Sequence, residues 1–251
     1  VIFDSLLSEN IRPKMMALKV MINQPINKFI KNVKYESRLY SPNDQKRSPY
    51  GLGLRNLGAT CYMNSTLQQL YHINPFLYIF LSEHLEIDSH QILQKLFVSM
   101  QISKKQACDT QPFCDTWLGW NKKRINKSEQ MDANDFFTIL IDQFPENIKK
   151  LFTGQTKTKF VNDEHNFESY THEDFQSYGV EIQKCTDIID SIKKSMEPET
   201  IPQYKGENGV FFDVKKYTRL SKIPPVLVVQ LKRFDCNLNK INSEFEITLD
   251  L

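Results

Sequence analysis

The chain has few glycines, no paired cysteines and no long apolar run, and each lack narrows what it can be. The five cysteines, Cys61, Cys108, Cys114, Cys185 and Cys236, are odd in number, irregularly spaced and nowhere arranged as C-x-x-C. That argues against a disulfide framework and for a reducing compartment, the cytoplasm first and the nucleus second. No apolar run is long enough to cross a bilayer, so no membrane role is expected. Val1-Ile2-Phe3 is not followed by the apolar core of a signal peptide, and the start on Val1 rather than Met fits a piece of a longer chain. Charge is nearly balanced, with 32 Lys and Arg against 30 Asp and Glu, so nothing points to nucleic acid as the main partner. Only eight glycines occur in 251 residues, and three of them lie between Gly51 and Gly58. Backbone freedom is therefore concentrated just ahead of Cys61.

What is present centres on that cysteine. The stretch from Gly51 to Ser65 places Cys61 at a loop-to-helix junction, and Leu67, Leu70, Tyr71 and Phe76 supply the apolar positions of the helical segment that follows. The unpaired N–H groups and the dipole at a helix N-terminus favour an anion, and hence a thiolate. Asn56, five residues earlier, stands where the loop can turn its amide toward a developing oxyanion. A free cysteine is otherwise most often a small buried hydrophobe.

The nearly unbroken run G-L-x-N-x-G-A-T-C-Y-M-N-S-x-x-Q from Gly53 to Gln68 resembles the cysteine box of the ubiquitin-specific proteases, the papain-like deubiquitinases. The resemblance extends from about Tyr50 to Leu251 through two further blocks. Glu129 to Phe137 is similar to the family signature Q-x-D-A-x-E-F, with Asp135 where Glu is usual. On a helix Asp132 and Asp135 share a face, with Phe136 and Leu140 turned inward. The resemblance implies that Asp132, Asp135 and Asn134 hold the arginine-bearing tail of ubiquitin; the alternative is acid placement at a helix N-terminus. Ile223 to Phe234 is similar to the block L-P-x-x-L-x-x-x-L-K-R-F, and by resemblance Phe234 lines the channel for that tail.

Patterning predicts an α+β architecture, with helices from Cys61 to about Lys150 and strands afterward. Leu67, Leu70, Phe76, Leu77 and Phe80, then Ile92, Leu93, Leu96 and Phe97, recur at helical intervals, and Trp117 and Trp120 are expected to cement this half. Thr156–Val161, Tyr178–Ile182 and Phe245–Thr248 read as strands, and Val226–Leu231 as a buried one behind Pro224-Pro225. The resemblance implies a papain-like fold with a helical thumb over 51–150, β fingers over 151–222 and part of a palm over 223–251. Residues 1–50 read as a flanking segment, with a short helix around Met15–Met21 and a linker from Ser41 to Pro49.

The family often carries a fingertip zinc site built from two C-x-x-C pairs. The corresponding stretches here, 162–165 and 205–208, contain no cysteine, so neither structural zinc nor any other cofactor is expected. The segment from Asn162 to Ile182 instead holds six acidic residues and no Lys or Arg, a surface for a basic face of ubiquitin or a solvated loop.

A thiol protease also needs a general base. The histidines are His72, His84, His90, His165 and His172, and none has the G-H-Y setting of the family's catalytic His. His72 on the helix of Cys61 would stand roughly 16 Å from it, too far for proton transfer. In the family that His lies beyond the point where this sequence stops. Truncation within the palm at Ile247–Leu251 is the expected explanation, and a ubiquitin-binding pseudoenzyme the alternative. The expected activity is a thiol-dependent deubiquitinase, cleaving after the C-terminal glycine of ubiquitin with Cys61 as nucleophile, Asn56 at the oxyanion, and ubiquitin or ubiquitinated proteins as partners. A ubiquitin-like modifier is the further alternative substrate.

Overall fold

A computed structural model describes residues 52–246 apart from 104, 120, 121, 207, 208, 236, 238 and 243. The readings made for residues 1–50, for Trp120 and for residues 247–248 lie outside the described residues. The chain divides between Leu151 and Phe152 into two compact units.

The first unit is helical. It contains β1 (Gly53–Leu54), α1 (Cys61–His72), α2 (Asn74–Ser82), α3 (Asp88–Ile102), β2 (Ala107–Cys108), α4 (Gln111–Thr116), α5 (Ala133–Asp142) and α6 (Glu146–Lys149). β1 and β2 pair in parallel, Gly53 with Ala107 and Leu54 with Cys108. The buried positions of α1, Met63, Leu67 and Leu70, fall on one stripe at helical spacing. In α5 the stripe is Phe136, Phe137 and Leu140, with Ile139 and Ile141 also buried. Two aromatic groups fill the interior. Phe76 stacks on Phe80 at 5.2 Å, and Phe80 meets Phe97 and Phe144 at 5.6 and 5.1 Å. Trp117, 1% exposed, meets Phe136 at 5.1 Å and Phe113 at 6.0 Å, and Phe136 meets Tyr62 edge-on at 5.6 Å. Each such pair adds about 0.5–1.5 kcal/mol beyond the area it buries. Through Tyr62 and Phe136 this second group fixes α1 against α5, which sets where the start of α1 stands.

The second unit is built on strands. It contains β3 (Gly154–Asn162), β4 (Phe167–Phe175), β5 (Tyr178–Glu181), α7 (Ile188–Lys194), β6 (Glu199–Lys205), β7 (Phe211–Lys222) and β8 (Val229–Lys232). β4, β3, β7 and β6 form an antiparallel sheet in that order, and β5 pairs in parallel with β8. Asp187 caps α7 by accepting the N–H of Asp190, a bond that holds its carboxyl below the usual range. Tyr178, Val180, Ile188, Ile192 and Met196 make a small core, with Val229 and Leu231 packed against it. The run Val226–Leu231 is half-buried rather than fully buried, because only one of its faces meets that core. The strand also starts later than its apolar run, at Val229, beyond the bend that follows Pro225. Where the sequence lacks the paired cysteines of a zinc ribbon, Phe160, Phe167, Tyr204 and Phe212 cluster at centroid distances of 5.2–6.4 Å, with His165 edge-on to Phe212 at 4.7 Å. These contacts tie the β3–β4 hairpin to β6 and β7 by apolar packing.

Among the described residues no helix is long and apolar enough to cross a membrane, and no group of three or more His, Cys, Asp and Glu could hold a metal ion.

Candidate active site

Cys61 is the first residue of α1 and is exposed, whereas Cys108, Cys114 and Cys185 are buried. Burial pushes the Cys114 thiol up to about 11 and also raises that of Cys108, which leaves both as inert packing groups. Thr60 accepts the N–H of Asn64 at 3.0 Å through its carbonyl, and no side chain caps the helix. The N–H groups of the first turn, Cys61 included, therefore have no intrahelical acceptor.

Thr60 directs its hydroxyl into the preceding loop instead. Its Oγ1 accepts from the N–H of Leu57 at 3.1 Å and donates to Oδ1 of Asn56 at 2.9 Å. The same Oδ1 also accepts the N–H groups of Gly58 and Thr60, at 3.2 and 3.4 Å. Backbone N–H groups can only donate, so the orientation of the Asn56 amide is fixed with its oxygen inward. The Nδ2 end has no protein acceptor among the described residues, which leaves it as an available donor.

The turn is pinned from outside as well. Gly58 adopts φ +130°, and a Cβ there would lie 2.4 Å from the carbonyl oxygen of Lys127. Glycine is thus required on both conformational and steric grounds. Ala59 donates to that same carbonyl at 2.7 Å. The contact joins the cysteine loop to the segment that delivers Gln130, whose Oε1 lies 3.3 Å from Cys61 Sγ and accepts a hydrogen bond from the thiol. Asn64 Nδ2 reaches the carbonyl of Arg55 at 3.1 Å, and Gln68 Nε2 reaches that of Leu52 at 2.7 Å. These two amides of the cysteine box hold the incoming chain against α1.

Asp132 caps the helix that carries Asp135. It is the N-cap of α5, with φ −70° and ψ 135°, and its Oδ1 accepts the N–H groups of Asn134 and Asp135 at 2.7 and 3.1 Å. Asp132 is thus the cap and Asp135 the third helical residue, and the two stand together at the start of α5, where the Asp132 carbonyl accepts the N–H of Phe136 at 3.1 Å. One oxygen of Asp132 caps, and the other is left outward on an exposed residue. Asp135 is exposed and Asn134 half-buried. Phe136 and Leu140 point inward, both 0% exposed.

Phe234 belongs to the strand unit, is 61% exposed and forms an isolated bridge with Lys240. In the acidic stretch of that unit, Glu168 pairs with Lys159 at 2.8 Å, Glu181 with Lys232 at 3.0 Å, and Asp174 accepts from Gln155 at 2.9 Å. Half of its six carboxylates are thus taken up within the sheet, which weakens it as a free acidic surface.

Among the described residues no histidine is hydrogen-bonded to Cys61. His72 closes the helix that Cys61 opens, His84 is exposed and His90 is 1% exposed against Phe144. His165 and His172 belong to the strand unit. Among the described residues the hydrogen-bond partner of the Cys61 thiol is Gln130. Gln130 falls within the block Glu129–Phe137, but nothing in the spacing of that block places it at the thiol. Its signal was the motif itself, since an amide directly ahead of a capped helix is not needed to start that helix.

Comparison with known proteins gives the class. The family model described as ubiquitin carboxyl-terminal hydrolase matches residues 52–251, and the chain belongs to that family. It is 29% identical over 237 residues to human ubiquitin carboxyl-terminal hydrolase 34, covering 84% of this chain and 7% of that protein. It is 29% identical over 238 residues to ubiquitin carboxyl-terminal hydrolase 5 of Schizosaccharomyces pombe, covering 84% of this chain and 21% of that protein. With human ubiquitin carboxyl-terminal hydrolase 24 the identity is 31% over 217 residues, covering 77% of this chain and 8% of that protein. The chain therefore spans less than a quarter of the length of these relatives.

Proposed function

We propose that the protein is a thiol-dependent deubiquitinase with Cys61 as its nucleophile. Sγ attacks the carbonyl carbon of ubiquitin's C-terminal glycine, and the thiol proton passes to a general base. The tetrahedral oxyanion is received by Asn56 Nδ2 and by the backbone N–H of Cys61. The C–N bond then breaks, the amine leaves with a proton, and water hydrolyses the thioester. The observation that carries this reading is the locked amide of Asn56, its Nδ2 left as a donor in the loop that leads into an exposed helix-start thiol. Asp132, Asn134, Asp135 and the exposed Phe234 are proposed contacts for the ubiquitin tail. The division into thumb, fingers and part of a palm belongs to the same proposal, as does residence in the cytoplasm.

A second reading is ubiquitin binding without turnover. It is favoured by one observation, that the thiol's partner is an amide and not an imidazole. Hydrolysis of a fluorogenic C-terminal ubiquitin amide by the full-length protein separates the two. Turnover abolished by Cys61→Ser supports the enzyme. Ubiquitin affinity with no turnover supports the binding module.

A further inference from the structure

We propose that the helical unit carries a second binding site, a cavity beside the cysteine loop that takes an acidic peptide segment with an apolar anchor. The cavity measures about 650 Å³, within the range of ligand sites. One wall is a stripe of α3, where Ile92, Leu96, Ser99 and Ile102 recur at helical spacing, and Pro112 and Phe113 of α4 line it as well. Ile92 and Ile102 are half-buried there, so this face of α3 is apolar and incompletely covered.

Charge identifies the occupant. Arg55, Lys95 and Lys105 stand around the cavity against one carboxylate, Asp109, whose Oδ1 already accepts the N–H of Gln111 at 3.0 Å. Arg55, Lys95 and Lys105 have no ion-pair partner among the described residues. Apolar walls below a cationic rim match a segment that inserts a bulky apolar side chain and flanks it with Asp or Glu. The chain's own residues 1–50 carry nine Lys and Arg against four Asp and Glu, so like charge disfavours them as the occupant. The segment comes from a partner protein.

The site touches the machinery through backbone. Arg55 immediately precedes Asn56, its N–H donates to the carbonyl of Cys108 at 2.9 Å, and its carbonyl accepts from Thr110 Oγ1 at 3.2 Å. An occupant that engages Arg55 bears on the strand pair from which the oxyanion loop departs.

The test is fluorescence anisotropy of the full-length protein with a fluorescein-labelled peptide, Asp-Glu-Asp-Leu-Phe-Asp-Glu-Glu. Two control peptides carry Lys for each acid, or Ser for Leu and Phe. Saturable binding is expected, weakening with salt and falling about tenfold or more with either control. The same loss is expected in the Lys95→Glu, Lys105→Glu double variant, whose substitutions fall on exposed residues and leave the circular-dichroism melt unchanged. No saturable binding, binding equal to that of the basic control, or binding that the double variant does not weaken overturns the proposal. Binding is read without turnover, so its failure leaves the deubiquitinase reading untouched.

Discussion

The thiol of Cys61 donates to Oε1 of Gln130 across 3.3 Å, joining residues 69 apart in sequence. The bond occupies the thiol proton, which must leave before sulfur can attack. Gln130 thus holds the thiol in place at the start of α1. Gln130→Ala should raise the rate of Cys61 alkylation by iodoacetamide several-fold at neutral pH, read by mass spectrometry of the Cys61 peptide. An unchanged rate would show that the contact does not restrain the thiol.

The Asn56 amide is oriented by Thr60, a residue 0% exposed. Asn56→Asp keeps an acceptor for Thr60 but removes the donor. It should lower kcat on a ubiquitin amide by about 10²–10³-fold with little change in KM. Thr60→Val leaves the N–H of Leu57 without its acceptor and should cost about 1–3 kcal/mol in chemical denaturation. Full activity in Asn56→Asp would remove the amide from the oxyanion role.

Capping and tail binding by Asp132 separate by one substitution. Asn caps about as well as Asp, so Asp132→Asn should leave stability within about 0.5 kcal/mol while raising KM for ubiquitin. Asp132→Ala should raise KM too and, unlike the Asn variant, lose about 1 kcal/mol of stability. Equal KM for wild type and Asp132→Asn would reduce the residue to a cap.

His90 is buried against Phe144 with Nε2 unpartnered, and burial lowers its pKa from 6.5 to about 4. Between those values the unfolded chain binds a proton that the folded one does not. Stability is therefore full above pH 6.5 and falls as pH drops toward 4, by at most about 3 kcal/mol at the low end. His90→Phe should flatten that slope in urea midpoints measured across the window. An equal slope in the variant would assign it to other groups.

The sequence made some of this legible and hid the rest for physical reasons. Met63, Leu67 and Leu70 of α1 and Phe136 and Leu140 of α5 announce their buried faces because helical periodicity is written in the residues themselves. The start of α1 at Cys61 is legible for the same reason. β4, with most of its residues exposed, carries no such pattern, since its stability comes from the register of Lys159 with Tyr170 and Lys157 with His172 across the hairpin. β7 is masked similarly by Lys215, Lys216 and Arg219 within its span. The contact of Gln130 with Cys61 is tertiary and follows from the pinning of Ala59 to Lys127, which no spacing reveals. Asp132 shows the opposite case. Its capping role is open to a local reading, and the structure adds the bonds that hold it at the start of α5 beside Asp135.

The central claim, that Cys61 attacks the C-terminal carbonyl of ubiquitin, is tested most directly by ubiquitin bearing a C-terminal electrophile. The full-length protein should form one covalent adduct, mapped by peptide mass to Cys61 and absent from Cys61→Ser. No adduct, or an adduct on another cysteine that survives Cys61→Ser, would contradict the account.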